Sequence, residues 1–333
     1  MLGFCIVGAG FMGPLHAANI LGHPRARVRW IVDLDLGAAQ RLAERCSARA
    51  TALLEEALAD AEVDAVIVCT PPRTHAAIIE SAARAGKAIF CEKPIDLDPQ
   101  RVEACAKVLA ATGVPFFVAF NRRFDPTHRA LHDALRGEEI GRVEMLVLAS
   151  RDPEISPPEV VAATPCGIFY DTMIHDFDMV RWLLRDEPVE LYARTACMLD
   201  AGDNPHRDPD TAMVVMRMQS GALVHVNSSF RAVYGYDQRI EAFGAKGMLV
   251  SGNQHRTALE RYAHDGVRRD PLLAFFTERY AESYRLELDA FITAVESGCA
   301  PPIGLDDGRR ALLLAEAGVR SAKSGMPIDL THL

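Results

Sequence analysis

The chain has 333 residues, 49% of them apolar, with 36 Lys+Arg against 45 Asp+Glu and a formal charge of −9. That balance offers no basic face for phosphates, which excludes a nucleic-acid binder. No apolar run approaches the roughly 18 residues of a membrane span, and a composition this aliphatic excludes intrinsic disorder. The length fits about two domains, each able to build a core.

Eight cysteines (Cys5, Cys46, Cys69, Cys91, Cys105, Cys166, Cys197, Cys299) are scattered, with no CxxC pair. A disulfide framework would cluster them in a small chain, so they read as reduced thiols of a cytoplasmic protein. The first strand begins almost at Met1, so no signal peptide is expected, and Thr331-His332-Leu333 matches no targeting address.

In chain order, Phe4 to Val7, Val28 to Asp33, Ala65 to Thr70 and Ala88 to Glu92 are continuous apolar runs, the pattern of parallel strands buried on both faces. Helical patterns lie between them, at Gly13 to Leu21, Leu36 to Cys46 and Thr74 to Ala85. Asp98-Pro99 then opens a helix that Gly113 closes. This alternation predicts a doubly wound parallel sheet, a Rossmann-type α/β domain over residues 1–119. From residue 120 a helix at Thr127 to Arg136 is followed by strands at Val143 to Ser150, Val189 to Met198, Ala212 to Met218, Leu223 to Phe230, Gln238 to Phe243 and Met248 to Ser251, with Ser220-Gly221 as a hairpin turn. Strands without intervening helices predict a mainly antiparallel sheet, so residues 120–333 read as an α+β substrate and oligomerisation domain. Helical patterns at Leu272 to Ser297 and Asp307 to Ser324 end the chain, and Ser150 to Phe169 and Asp200 to Pro209 read as functional loops.

Gly8-Ala9-Gly10-Phe11-Met12-Gly13 fits G-x-G-x-x-G between a strand and a helix. The first glycine turns the chain, the second admits a pyrophosphate, and the third packs helix on strand. Asp33 ends the second strand, where its carboxylate would accept from adenosine ribose hydroxyls and repel a 2′-phosphate. No Arg or Lys stands at Leu34, so NAD is favoured over NADP, with Arg41 the one cation that argues otherwise. Thr70-Pro71-Pro72-Arg73-Thr74-His75 follows a strand at the carboxyl edge and would wall the dinucleotide, or serve only as a helix entry capped by Thr74. Glu92-Lys93-Pro94 follows the next strand at that edge. A lysine there would stabilise a developing alkoxide or exchange a proton, and a cis Lys93–Pro94 peptide would be one way to fix it. Alone, such a lysine is more often a solvated loop charge. In Asp171-Thr172-Met173-Ile174-His175-Asp176-Phe177-Asp178, helical spacing puts Met173, Phe177, Val180 and Leu184 on an apolar stripe, with Asp171, His175 and Asp178 on another face. Asp171 would then hold one nitrogen of the His175 imidazole and leave the other for a substrate proton; a solvated ion pair is the plain alternative. No third neutral ligand stands near, so no metal is expected, and no G-x-S-x-G elbow supports a hydrolase.

Taken in order, Gly8 to Gly13, Thr70 to His75, Glu92-Lys93-Pro94 and Asp171-x-x-x-His175 resemble the glucose–fructose oxidoreductase/inositol dehydrogenase/MocA family over essentially the whole chain. Phe120 to Pro126, Ser150 to Pro153 and Tyr234-Gly235-Tyr236-Asp237 are more narrowly similar to its inositol dehydrogenase branch. The resemblance implies reversible, NAD-dependent oxidation of one secondary alcohol of a cyclic polyol or sugar, with myo-inositol to its 2-keto form as the leading reaction. It implies Lys93 as catalytic lysine, Asp171 as orienting group, His175 as acid/base, and Gly8, Gly10, Phe11, Met12, Gly13, Asp33, Thr70, Pro71, Pro72, His75, Glu92 and Lys93 at the cofactor. Asn121, Arg122 and Tyr236, beside Lys93, Asp171 and His175, are implied at the substrate. It also implies a homo-oligomer, tetramer or dimer, built through the open sheet. The chain departs from the family pattern at Pro165-Cys166-Gly167, where relatives often carry a Gly-Gly pair, which bears on the identity of the polyol. The rivals are a dehydrogenase of another inositol isomer or sugar, and a non-catalytic dinucleotide-binding regulator.

Overall fold

Leu2–Val7 (β1) is the central strand of a six-stranded parallel sheet, flanked by Ala26–Val32 (β2) and Ala65–Val68 (β4). The computed structural model describes residues 1–158, 161 and 167–331, so Pro165, Cys166 and the terminal His332-Leu333 singled out above lie outside the described residues. With Arg49–Thr51 (β3), Ala88–Cys91 (β5) and Phe116–Val118 (β6), the strand order is β3-β2-β1-β4-β5-β6. That order reverses between β1 and β4, and open α/β sheets bind ligands at such a switch point, beyond the carboxyl ends of the strands. Met12–Leu21 (α1), Leu36–Cys46 (α2), Leu54–Ala59 (α3), His75–Arg84 (α4) and Pro99–Thr112 (α5) connect the strands. As the sequence predicts, Asp98 caps α5 by accepting from the Gln100 N–H (2.8 Å), and Gly113 ends it in the left-handed conformation.

The chain divides into two units: residues 1–121 with 284–312, and residues 122–283 with 313–333. The sequence reading placed everything beyond residue 119 in one domain. Residues 284–312 instead pack with the parallel sheet, because Phe291 inserts among Phe4, Phe90 and Phe117, with ring centroids 5.6–6.2 Å apart. Truncating such a core aromatic typically costs about 3–5 kcal/mol.

In the second unit, Pro126–Arg136 (α6) precedes Val143–Arg151 (β7), and Ile174–Leu184 (α7) precedes Pro188–Ala196 (β8), Thr211–Met218 (β9), Leu223–Ser229 (β10), Asp237–Gly244 (β11) and Gly247–Ser251 (β12). Glu260–Ala263 (β13) and Gly266–Arg269 (β14) form a separate two-stranded hairpin. The helical pattern read from Leu272 begins later, as a short turn of helix at Phe276–Arg279 (α8) followed by Ala281–Ser297 (α9), and the last helix is Leu305–Ser324 (α10). Ile328–Asp329 (β15) closes a seven-stranded sheet of order β12-β11-β7-β10-β9-β8-β15. The sheet is antiparallel except that β10 runs parallel to β7. Alternation sends Leu146, Leu148, Val214, Met216, Val224, Val226, Ile240 and Ala242 to a core shared with Met173, Phe177 and Val180 of the helical face.

Candidate active site

The glycine-rich turn leaves β1 at the switch point. Gly8 has φ +107°, and a Cβ there would stand 2.7 Å from the Cys69 carbonyl oxygen; one on Gly13 would stand 2.1 Å from the Gly8 carbonyl oxygen. Both positions therefore require glycine, the first for its dihedral and the second for close approach of helix to strand. Around Gly10, by contrast, no atom of the described residues lies within 4 Å of the position a Cβ would take. Helix α1 starts with no side-chain cap from Phe11, so its first amides are available to an anion. Asp33 accepts from the Ala9 N–H at 2.7 Å and from the Asp35 N–H at 2.9 Å, which braces the turn and leaves lone pairs for ribose hydroxyls. Arg41 stands 3.9 Å from the carboxylate of Asp35. Open space at Gly10, uncapped amides and an acidic β2 end fit NAD, and the residues that would hold it are Gly8 to Gly13, Asp33 and Thr70 to Pro72.

At the ends of β4 and β5 two loops face the same carboxyl edge. Thr74 donates its hydroxyl toward Thr70 Oγ1 (2.7 Å) and the Pro71 carbonyl (2.8 Å) and makes no side-chain cap, so it shapes the proline turn from within. His75, read as a cofactor contact, is buried. Its Nδ1 lies 2.7 Å from the Pro94 carbonyl and its Nε2 2.6 Å from the Thr70 carbonyl, so it is a strut between the two loops. Burial pushes this imidazole down, against the upward pull of the two carbonyls. Glu92 is corrected in the same way. Its carboxylate turns inward to His16 Nε2 at 2.7 Å and ties the end of β5 to α1. His16 was missed by sequence reasoning; a histidine on the apolar side of α1 was its only signal. Lys93 follows, half-buried, with a cis peptide to Pro94.

In the second unit Asp171 lies on a π-helical turn, Ile168–Met173, that leads into α7. Such turns recur at functional sites. Asp171 is exposed and His175 half-buried, but Asp178 does not share their face. It is fully buried and takes Arg123 in a two-point ion pair, with Nε 2.8 Å from Oδ2, which draws it to the inner side of the helix. Arg122 and Tyr236 are buried as well. Arg122 donates to Asp176 (2.8 Å) and to Ser150 (3.0 Å), and its guanidinium lies 5.7 Å from the Tyr280 ring centroid. These two bonds occupy Nη1, so that side of the guanidinium is committed to Asp176 and Ser150 within the protein. Burial raises the Asp176 carboxyl even though Arg122 and the Ser150 hydroxyl pull it down. Asn121 is buried too. The Asp200-to-Pro209 loop bears on the π turn directly, since Asp208 accepts from the Gly167 N–H at 3.3 Å.

Comparison with known proteins gives this arrangement its family. Residues 2–120 match the model of the oxidoreductase family with an NAD-binding Rossmann fold, and residues 128–250 match the GFO/IDH/MocA C-terminal domain. An inositol 2-dehydrogenase of Rhizobium meliloti is 43% identical over 329 residues, 98% of each chain. The solved structure of a myo-inositol dehydrogenase from Corynebacterium glutamicum is 36% identical, with a TM-score of 0.94 over 100% of both chains. A scyllo-inositol dehydrogenase from Lactobacillus casei, solved with NAD(H) and scyllo-inositol, is 25% identical with a TM-score of 0.91 over 99% of both chains. The chain belongs to the glucose–fructose oxidoreductase/inositol dehydrogenase/MocA family of NAD-binding oxidoreductases.

Proposed function

We propose that this enzyme oxidises one secondary hydroxyl of a cyclic polyol, with myo-inositol to 2-keto-myo-inositol as its reaction. The observation that carries the reading is the 43% identity, over 98% of both chains, to an inositol 2-dehydrogenase, in a chain that keeps Lys93 and Asp171-x-x-x-His175 in order. NAD held on the glycine turn supplies the hydride acceptor. Lys93 stabilises the alkoxide as it develops, His175 takes the hydroxyl proton, and Asp171 orients the imidazole. Arg122 serves the same end indirectly, by fixing Asp176 next to His175 in the chain. Lys93→Ala and His175→Ala should each lose about a hundredfold or more in turnover, the usual worth of a positioned acid or base, with NAD affinity nearly intact. The test is NADH absorbance across a panel of inositol isomers, aldoses and deoxy-sugars, with NAD and NADP compared. Preference for scyllo-inositol or a sugar would replace the substrate. NAD binding without any turnover would favour the regulator reading.

The same reading makes the protein a homo-oligomer, dimer or tetramer, through the outer face of the seven-stranded sheet, which carries exposed Met145, Met213, Val215, Leu223, Met248 and Val250. It also places the protein in the cytoplasm. The seven described cysteines, all free, suit a reducing compartment. Among the described residues no helix is long and apolar enough to cross a membrane.

A further inference from the structure

Within the second unit a cavity of about 10 Å³ lies among Arg122, His128, Ser150, Asp176, Met179 and Gln238, all of them buried. Three of these residues each carry a buried polar atom that no hydrogen bond reaches among the described residues: His128 Nε2, Asp176 Oδ2 and Gln238 Nε2. Buried polar groups are costly to leave unpaired, so three on one cavity call for a partner. Their neighbours fix what each atom offers. His128 Nδ1 lies 3.3 Å from the Arg122 carbonyl oxygen, which only accepts, so the ring proton sits on Nδ1 and Nε2 is an acceptor. Burial pushes this imidazole down, against the pull of Asp125 and with the push of Arg279 and Arg122, which keeps the ring neutral at neutral pH. Asp176 takes Arg122 Nη1 (2.8 Å) and the Ser150 hydroxyl (2.5 Å) on Oδ1, which leaves Oδ2 as a second acceptor. Gln238 Oε1 stands 3.2 Å from Ser150 Oγ and 3.4 Å from the Tyr280 hydroxyl, so the spare end of the amide is Nε2, a donor.

We propose that this cavity is a binding site for one internal water molecule, which donates to Asp176 Oδ2 and His128 Nε2, accepts from Gln238 Nε2, and so ties α6, α7 and β11 together one residue from His175. Water fits in size, since a cavity holds one molecule from about 10–15 Å³ upward, and in number, since buried waters typically make about three hydrogen bonds. It also fits in kind, because only a group that donates twice and accepts once satisfies all three atoms. A metal ion or an ammonium would meet the Gln238 N–H with positive charge, and an anion would meet two acceptors. Among the described residues no group of three or more His, Cys, Asp or Glu stands together to hold a metal. The site is independent of which alcohol the enzyme oxidises, and its test reads structure and stability rather than turnover.

A crystal structure of the full chain with NAD, at a resolution that orders internal solvent, should show one peak within hydrogen-bond distance, about 2.5–3.2 Å, of all three atoms. A cavity without density would overturn the proposal. So would a peak with anomalous scattering and metal-ligand distances of about 2.0–2.2 Å to Asp176 and His128. In solution, Tm is compared for His128→Gln and His128→Leu, side chains of similar length and helix propensity that both give up the Nδ1 bond. The Gln carbonyl oxygen can accept from the water in place of Nε2, whereas Leu leaves one water proton without an acceptor. His128→Gln should therefore melt at the higher temperature. In a dry cavity the order reverses, because the Gln amide is then one more buried polar group without a partner. A His128→Leu chain that melts at or above His128→Gln thus also overturns the proposal. Should neither variant fold, the wild-type density decides alone.

Discussion

Arg122 shows how a residue type can be legible while its task is not. Its place at the substrate rests on the family resemblance, and nothing in its local sequence shows that it would meet Asp176. In the structure Nη1 of Arg122 bonds Asp176 and Ser150, and the buried guanidinium lies 5.7 Å from the Tyr280 ring centroid. Arg122→Met would leave Asp176 as a buried charge without its cation, a loss that typically costs about 3–5 kcal/mol. Urea denaturation should show that loss as a lower midpoint. A variant of unchanged stability whose only defect is a raised KM would return Arg122 to the substrate. His75 carries the same lesson. Its type and loop were visible in the sequence, but its two carbonyl partners come from segments 5 and 19 residues away and only the fold brings them together.

At the scale of elements, the glycine turn makes the sharpest prediction. A Cβ on Gly13 would meet the Gly8 carbonyl, which is backbone and cannot swing aside. Gly13→Ala should therefore push α1 off β1 and displace the amides proposed to hold the dinucleotide. NAD affinity, followed by quenching of intrinsic fluorescence, should fall by at least about tenfold, or roughly 1.4 kcal/mol, while far-ultraviolet dichroism stays close to that of the wild type. Unchanged affinity would mean the turn holds no pyrophosphate. The turn was legible because its requirement is local, β1, β4 and β5 were legible because strands buried on both faces are apolar without interruption, and β2, interrupted by Arg27 and Arg29, was legible from its Trp30-Ile31-Val32 end. The three-residue strands β3 and β6 were not, since so short a segment has no period to read. Nor was the π turn at Asp171. Reading 171–178 at a uniform 3.6 residues per turn grouped Asp178 with Asp171 and His175, and no local signal announced Arg123 as the partner that draws Asp178 inward. The apolar stripe of α9 was visible, but an amphipathic pattern says which face is buried and never against what; Phe4, Phe90 and Phe117 supply that answer from far along the chain.

For the whole molecule the decisive feature is the outer face of the seven-stranded sheet. Strand register sets Met248 opposite Phe243, Phe243 opposite Met145 and Met145 opposite Leu223, so four exposed apolar side chains form one row across four strands. Val250 and Val215 extend the apolar surface beside that row. Soluble monomers seldom present so continuous a patch, and a stable interface buries about 800 Å² from each partner. The alternation that sends Leu146, Val224 and Ala242 to the core leaves the outward side chains without a part in the protomer's own packing. If the chain assembles through this face as proposed above, a charge placed among them should spare the fold and break the assembly. Leu223→Asp sits within the row, where it would bring a carboxylate against Met145 and the facing copy. Light scattering coupled to gel filtration should then report a smaller species than the wild type, with Tm lowered only as far as loss of the partner requires. A wild type that runs as a monomer, or a variant that keeps the wild-type mass, would remove this sheet from the interface.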